Sequence, residues 1–177
     1  MNLPNKLSIA RVICIPVIVV LLYIKSPACR IAAGILFILA CITDFLDGQI
    51  ARRHNLITDF GRFIDPVADK LLVLTVLIML VHLGMMPAWV VILVLCRELS
   101  VDGLRMVAVT QGNIIAAGPL GKWKTACQMV MISIMLILNL SFSTSWPIMV
   151  FTGIMVLLTL ISAVEYFIRN RAVLIDK

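Results

Sequence analysis

The chain has 177 residues, 62% of them hydrophobic and 14% charged, with a net charge of +6. Soluble domains run closer to half apolar and a quarter charged, so a composition this apolar excludes an ordinary water-soluble domain. The basic residues flank apolar stretches and form no continuous run, which argues against a nucleic-acid partner.

A helix crosses a bilayer with about 20 predominantly apolar residues. Six such stretches occur, over 7–25, 31–51, 63–83, 87–109, 124–142 and 146–167. They leave no room for a separate soluble domain, and lipid-exposed backbone must satisfy its own hydrogen bonds. The predicted fold is an all-α membrane protein, a bundle of six transmembrane helices in one integral-membrane domain over 1–177. Arg11 falls inside what would be the apolar region of a signal peptide, so the first stretch is expected to stay in the mature protein. Pro27 stops that stretch, and the second starts near Arg30 and ends in Ala51-Arg52-Arg53-His54-Asn55. The link at 53–60 is short, which predicts that the second and third helices are antiparallel neighbours. Leu83-Gly84-Met85-Met86-Pro87 and Ser141-Phe142-Ser143-Thr144-Ser145 are expected turns. Gln111-Gly112-Asn113 and Gly118-Pro119-Leu120-Gly121 are turn-like within a longer link.

With the N-terminus in the cytoplasm and all six stretches crossing, 13 of the 15 Lys and Arg residues fall on the cytoplasmic side. Only Lys25 and Arg30 face the other way, so the positive-inside rule predicts both termini in the cytoplasm. Cys14, Cys29, Cys41, Cys96 and Cys127 show no C-x-x-C spacing and are read as small packing residues. His54 and His82 suggest no zinc site.

Nine residues are acidic, and five of them lie between 44 and 69: Asp44, Asp47, Asp59, Asp65 and Asp69. Ionisable groups at membrane depth are costly and mark function or pairing. Helical spacing puts Asp44, Asp47, Gly48, Ala51 and Arg52 on one face, and Gly61, Asp65 and Asp69 step by four along the next helix. Two carboxylates from each helix then converge at the cytoplasmic end of the bundle. Such a group repels itself unless a positive charge sits among it, and hard oxygen donors suit Mg²⁺ or Mn²⁺. Four carboxylates suffice for two ions, the arrangement that clamps attacking and leaving oxygens in phosphoryl transfer. Gly48, Ala51 and Gly61 leave space for a nucleotide, and Arg52 is placed to neutralise a phosphate. The competing arrangement is a structural ion-pair cluster, with Asp44 and Asp47 against Arg52, and Asp65 against Arg62 or Lys70.

The pattern Asp44-x2-Asp47-Gly48-x2-Ala51-Arg52-x8-Gly61-x3-Asp65-x3-Asp69 resembles the signature of the CDP-alcohol phosphatidyltransferases. The resemblance covers the whole chain and implies transfer of a phosphatidyl group from CDP-diacylglycerol to an alcohol, with release of CMP. It implies Asp44, Asp47 and Asp65 as metal ligands, and Asp69 as both ligand and general base. Asp44, Gly48, Ala51, Arg52 and Gly61, with Asn5 and Ser8, would bind the CDP donor. Asn2-Leu3-Pro4-Asn5-Lys6-Leu7-Ser8-x2-Arg11, Arg97-Glu98-Leu99-Ser100-Val101-Asp102-Gly103-Leu104-Arg105 and Gly121-Lys122-Trp123-Lys124-Thr125-x2-Gln128 are similar to the family's bacterial glycerol-phosphate branch. That branch takes glycerol 3-phosphate, with Arg97, Arg105, Lys122 and Lys124 as candidates for the acceptor's phosphate. It implies a homodimer in the bacterial inner (cytoplasmic) membrane. Arg97 beside Glu98 is alternatively a buried pair, and Arg11 alternatively snorkels to the surface.

Other acceptors within the family are inositol phosphate, serine or phosphatidylglycerol. From a different class, a divalent-cation transporter would also carry intramembrane carboxylates. It predicts polar groups running toward the far side, whereas Leu71–Met79 and Met129–Leu138 are almost wholly apolar. An aspartate-rich prenyltransferase would need a second aspartate-rich cluster in the later helices, and none is present.

Overall fold

A computed structural model describes the backbone of residues 3–24, 26–53, 59–112, 115 and 118–173, and the side chains of 8–24, 26–44, 65–112, 115, 118–171 and 173. Among these residues the chain is all-helical. The helices are α1 (Leu3–Tyr23), α2 (Pro27–Arg53), α3 (Asp59–His82), α4 (Ala88–Thr110), α5 (Pro119–Leu138) and α6 (Trp146–Arg169), with a short 3₁₀ turn at Arg171–Val173.

The ends of these helices have local causes. Pro27 starts α2 rather than merely stopping α1, because proline's fixed φ and missing N–H suit the first turn of a helix. Pro119 likewise starts α5, so the expected turn at Gly118–Gly121 is instead a helix start, and α5 begins earlier than its apolar stretch. Asn139 ends α5 in the left-handed conformation at φ 52°, with its N–H on the Met135 carbonyl, so 139–142 lie outside the helix. The expected turns at Leu83–Pro87 and Ser141–Ser145 are both present. They are tied together by Phe142 N–H on the Met85 carbonyl at 2.8 Å, and Arg30 reaches across to Asn139.

The main helix contacts run α1–α2, α2–α5, α5–α6, α6–α4, α4–α3 and α3–α1, which closes a ring. This corrects one expectation. The short link does not make α2 and α3 close neighbours; they touch each other little, and α1 packs along both. Gly34 permits the close α2–α5 crossing, since a Cβ there would stand 3.0 Å from Leu136 Cβ and from Ile137 Cδ1. Leu72, Val76, Leu77 and Leu80 of α3 and Met131, Ile132, Met135 and Leu136 of α5 are buried in one central apolar core. Among the described residues, two helical segments, Pro27–Asp44 and Trp146–Arg169, pass as membrane-crossing by length and composition.

Gly34→Val should lower the thermal unfolding midpoint in detergent by roughly 3–10 °C, the scale of overpacking by an isopropyl group in a chain of this size. Gly153→Val is the control, because no atom lies within 4 Å of a Cβ built there. Equal midpoints for the two variants would show that the α2–α5 crossing tolerates expansion.

Candidate active site

Asp44 projects from the C-terminal half of α2, and Asp65 and Asp69 from the first turns of α3. The charges of Asp44 and Asp65 both bear on Asp69, so these three carboxylates converge as their spacing predicts. The side chains of Asn5, Asp47, Gly48, Ala51, Arg52, Gly61 and Arg62 lie outside the described residues.

The positive charge among the aspartates comes from α1. Arg11 is buried, and its Nη1 lies 2.6 Å from Asp44 Oδ1 and 3.7 Å from Asp69 Oδ1. It does not snorkel to the surface, because two carboxylates hold it inside. One turn earlier, the Ser8 hydroxyl donates to Asp65 Oδ1. α1 thus touches Asp44, Asp65 and Asp69, which explains why it is wedged between α2 and α3. Lys70 pairs with Asp102 of α4, not with Asp65 as the ion-pair arrangement had it.

Asp44, Asp69, Lys70 and Asp102 border a cavity of about 850 Å³ at one end of the ring. Asp44 and Asp69 form one wall. Arg97 and Arg105 of α4, Lys122 of α5 and Arg169 of α6 supply cations around it. This volume falls in the range of roughly 300–1,000 Å³ usual for small-molecule sites. Arg97 and Glu98 do pair, at 3.3 Å, while Arg97 Nη2 donates to Ser162 at 3.3 Å. Arg97 Nε is buried without a hydrogen-bond partner among the described residues, a donor held ready for an anion. Arg105 donates from Nε to the Tyr166 hydroxyl at 3.0 Å and lies over the same ring. A Cβ at Gly121 would stand 3.3 Å from Arg97 Nη2, so glycine there keeps the guanidinium's space open.

The four residues expected at the acceptor's phosphate do not all stand alike. Arg97, Arg105 and Lys122 line the cavity. Lys124 is buried, bonded to Glu98, and faces a smaller adjoining compartment. The wall from α6 was missed in the sequence. Ser162, Glu165, Tyr166 and Arg169 recur at helical spacing, and that polar stripe in an apolar helix was the available signal.

Known proteins resemble this chain over most of its length. A profile described as CDP-alcohol phosphatidyltransferase matches residues 1–164. A Bacillus subtilis (strain 168) protein named CDP-diacylglycerol–glycerol-3-phosphate 3-phosphatidyltransferase is 41% identical over 183 aligned positions, covering 96% of this chain and 95% of its own. A Rickettsia bellii (strain RML369-C) protein of the same name is 46% identical over 136 positions, covering 77% and 75%. An Arabidopsis thaliana protein, number 2 of that name, is 41% identical over 150 positions, covering 76% and 64%.

Arg11→Met should destabilise the fold by about 2–3 kcal/mol in metal-free buffer. That is less than the roughly 3–5 kcal/mol for breaking a fully buried pair, because Asp44 and Asp69 keep 31% and 29% exposure. Adding Asp44→Asn should recover part of the loss, measured as unfolding midpoints in a double-mutant cycle. Strict additivity of the two substitutions would show that the pair carries no coupling.

Proposed function

Because the chain belongs to the CDP-alcohol phosphatidyltransferase family, we propose that it transfers the phosphatidyl group of CDP-diacylglycerol to glycerol 3-phosphate, giving phosphatidylglycerophosphate and CMP. The observation that carries this reading is the single cavity in which two signature aspartates face Arg97, Arg105 and Lys122. The carboxylates suit a hydroxyl that must lose a proton, and the cations suit an acceptor that carries a phosphate. The shared name of its relatives, at 41–46% identity, supports the same acceptor.

The chemistry follows from the groups present. The terminal hydroxyl oxygen of the acceptor attacks the phosphorus that bears diacylglycerol. A new P–O bond forms, the bond from that phosphorus to the bridging oxygen breaks, and CMP leaves with the electron pair. The hydroxyl proton passes to the Asp69 carboxylate. Arg97, Arg105 and Lys122 hold the acceptor's phosphate, and Lys124 acts there through Glu98. Asp44, Gly48, Ala51, Arg52 and Gly61, with Asn5 and Ser8, hold the donor's cytidine diphosphate.

The donor set fits a divalent metal. Asp69 Oδ1 is buried with no hydrogen-bond partner among the described residues, and Asp44 and Asp69 already share one positive neighbour. The described residues alone form no group of three ligands, and the side chain of Asp47 lies outside them. Asp44, Asp47, Asp65 and Asp69 would hold two Mg²⁺ or Mn²⁺ ions, which draw negative charge off the diphosphate when bound.

All six helices span the bacterial cytoplasmic membrane in this reading, with the site and both termini on the cytoplasmic side. The asymmetry of Lys and Arg supports that orientation. Outward-facing Ile35, Leu39 and Ile42 on α2 and Leu157, Ile161, Val164 and Ile168 on α6 make apolar patches suited to lipid. Exposed Trp89 and Trp146 sit at the far end and exposed Trp123 at the site end, the places of the two aromatic belts. The family resemblance supports a homodimer.

Purified protein in detergent should release CMP only with CDP-diacylglycerol, glycerol 3-phosphate and Mg²⁺ or Mn²⁺ together, and chelation should abolish release. CMP release with serine or inositol phosphate but not glycerol 3-phosphate would reassign the acceptor. Asp69→Asn should reduce turnover by about 10²–10⁴-fold, the usual worth of a general base, while donor binding survives. Arg105→Gln should raise KM for the acceptor about tenfold or more and leave KM for the donor unchanged, consistent with loss of a charge-assisted hydrogen bond. Equal changes in both KM values would place Arg105 away from the acceptor.

A further inference from the structure

Gln128 is 2% exposed, yet its Oε1 has no hydrogen-bond partner among the described residues. A buried amide oxygen left unpaired is costly, and in a functional site it marks a place for a donor. It faces a compartment of about 180 Å³, lined on its polar side by Asp69, Lys70, Glu98, Lys124 and Thr125 and on its apolar side by Leu74 and Met129. Asp69 and Glu98 also border the main cavity, so the compartment is a side room opening at the carboxylate end.

Charge decides what this room accepts. Lys124 is bonded to Glu98 and Lys70 to Asp102, so both lysines are neutralised in pairs and the charge left over is the Asp69 carboxylate. The cations with capacity for a phosphate, Arg97, Arg105 and Lys122, line the larger cavity instead. The room therefore attracts no anion and presents a neutral acceptor at its buried end. A hydroxyl is the neutral donor that matches it. At about 30 Å³ per water the space equals roughly six waters, enough for the hydroxyl-bearing carbons of a small polyol.

We infer that Gln128 is the specificity residue for the acceptor: its side-chain oxygen receives a hydrogen bond from the secondary hydroxyl of a polyol phosphate whose terminal hydroxyl lies at Asp69. The inference rests on the reaction proposed above and deepens it. It assigns the acceptor's phosphate to the main cavity, its reacting oxygen to the junction at Asp69, and its middle hydroxyl to the side room. Gln128 takes no part in proton transfer.

The test compares glycerol 3-phosphate with 3-hydroxypropyl phosphate, which lacks only the secondary hydroxyl, by CMP release from purified protein with CDP-diacylglycerol and Mg²⁺. Wild type should favour glycerol 3-phosphate by about 100-fold or more in kcat/KM, because a site built around a hydroxyl strongly rejects the analogue without it. Gln128→Met should bring the two acceptors within about fivefold by losing efficiency toward glycerol 3-phosphate, with KM for the donor within about twofold of wild type. Equal use of both acceptors by wild type overturns the inference without any variant. So does an unchanged preference in Gln128→Met, which would make the amide oxygen a hydrated structural group. CMP release with neither acceptor overturns the reaction itself and the assignment with it.

Discussion

Everything at the site end depends on one buried cation. Two carboxylates about 4 Å apart repel by about 4 kcal/mol even at an effective dielectric near 20. Asp44 and Asp69 come from different helices, so that repulsion would drive α2 and α3 apart. Arg11 lies 2.6 Å from one and 3.7 Å from the other and turns the repulsion into a clasp. Its position on α1 dictates the topology: α1 packs along both carboxylate helices, and the ring closes through α5, α6 and α4. The cavity is the space that this ring encloses beside the clasp.

The remaining charges divide into those that cancel and those that stay available. Lys70 with Asp102 and Lys124 with Glu98 are local pairs that brace α3 to α4 and α4 to α5. Arg97 straddles the two classes: it touches Glu98 and Ser162 and keeps a buried Nε–H unspent. Arg105 is oriented by Tyr166 from below, and Lys122 and Arg169 stand at the cavity wall. A chain with a net charge of +6 thus delivers its excess where an anionic ligand meets the carboxylates.

Helical periodicity made the aspartate faces legible, because residues three and four apart share a face whatever the packing. The apolar stretches likewise located all six helices. Their ends are less legible: Pro27 and Pro119 read as breaks in the sequence, although proline at a helix start is favoured. The place of α1 was hidden for a different reason. A short link suggests adjacency of α2 and α3, but an earlier helix can insert between them, and only packing reveals it. The role of Arg11 is likewise hidden from its residue type, which allows snorkelling, because Asp44 and Asp69 lie far from it in sequence. The α6 stripe at Ser162, Glu165, Tyr166 and Arg169 was readable by the same spacing rule that found the aspartates. Gln128 was not readable as a binding residue, since satisfaction of a buried amide is a property of its neighbours.

The inward face of α5 shows how one helix joins the chemistry to the scaffold. Lys124 and Gln128 occupy its first turns at the site end, and Met131, Ile132, Met135 and Leu136 continue the same stripe into the core. Along this face of α5 the polar groups give way to buried apolar side chains of the central core. The polar side chains of this face are thereby confined to the site end, with the apolar core beneath them. The far end closes independently, through Phe142 on Met85 and Arg30 on Asn139. A bundle pinned at that end and clasped by Arg11 at the other can hold reacting groups in register, which is the chief demand of phosphoryl transfer.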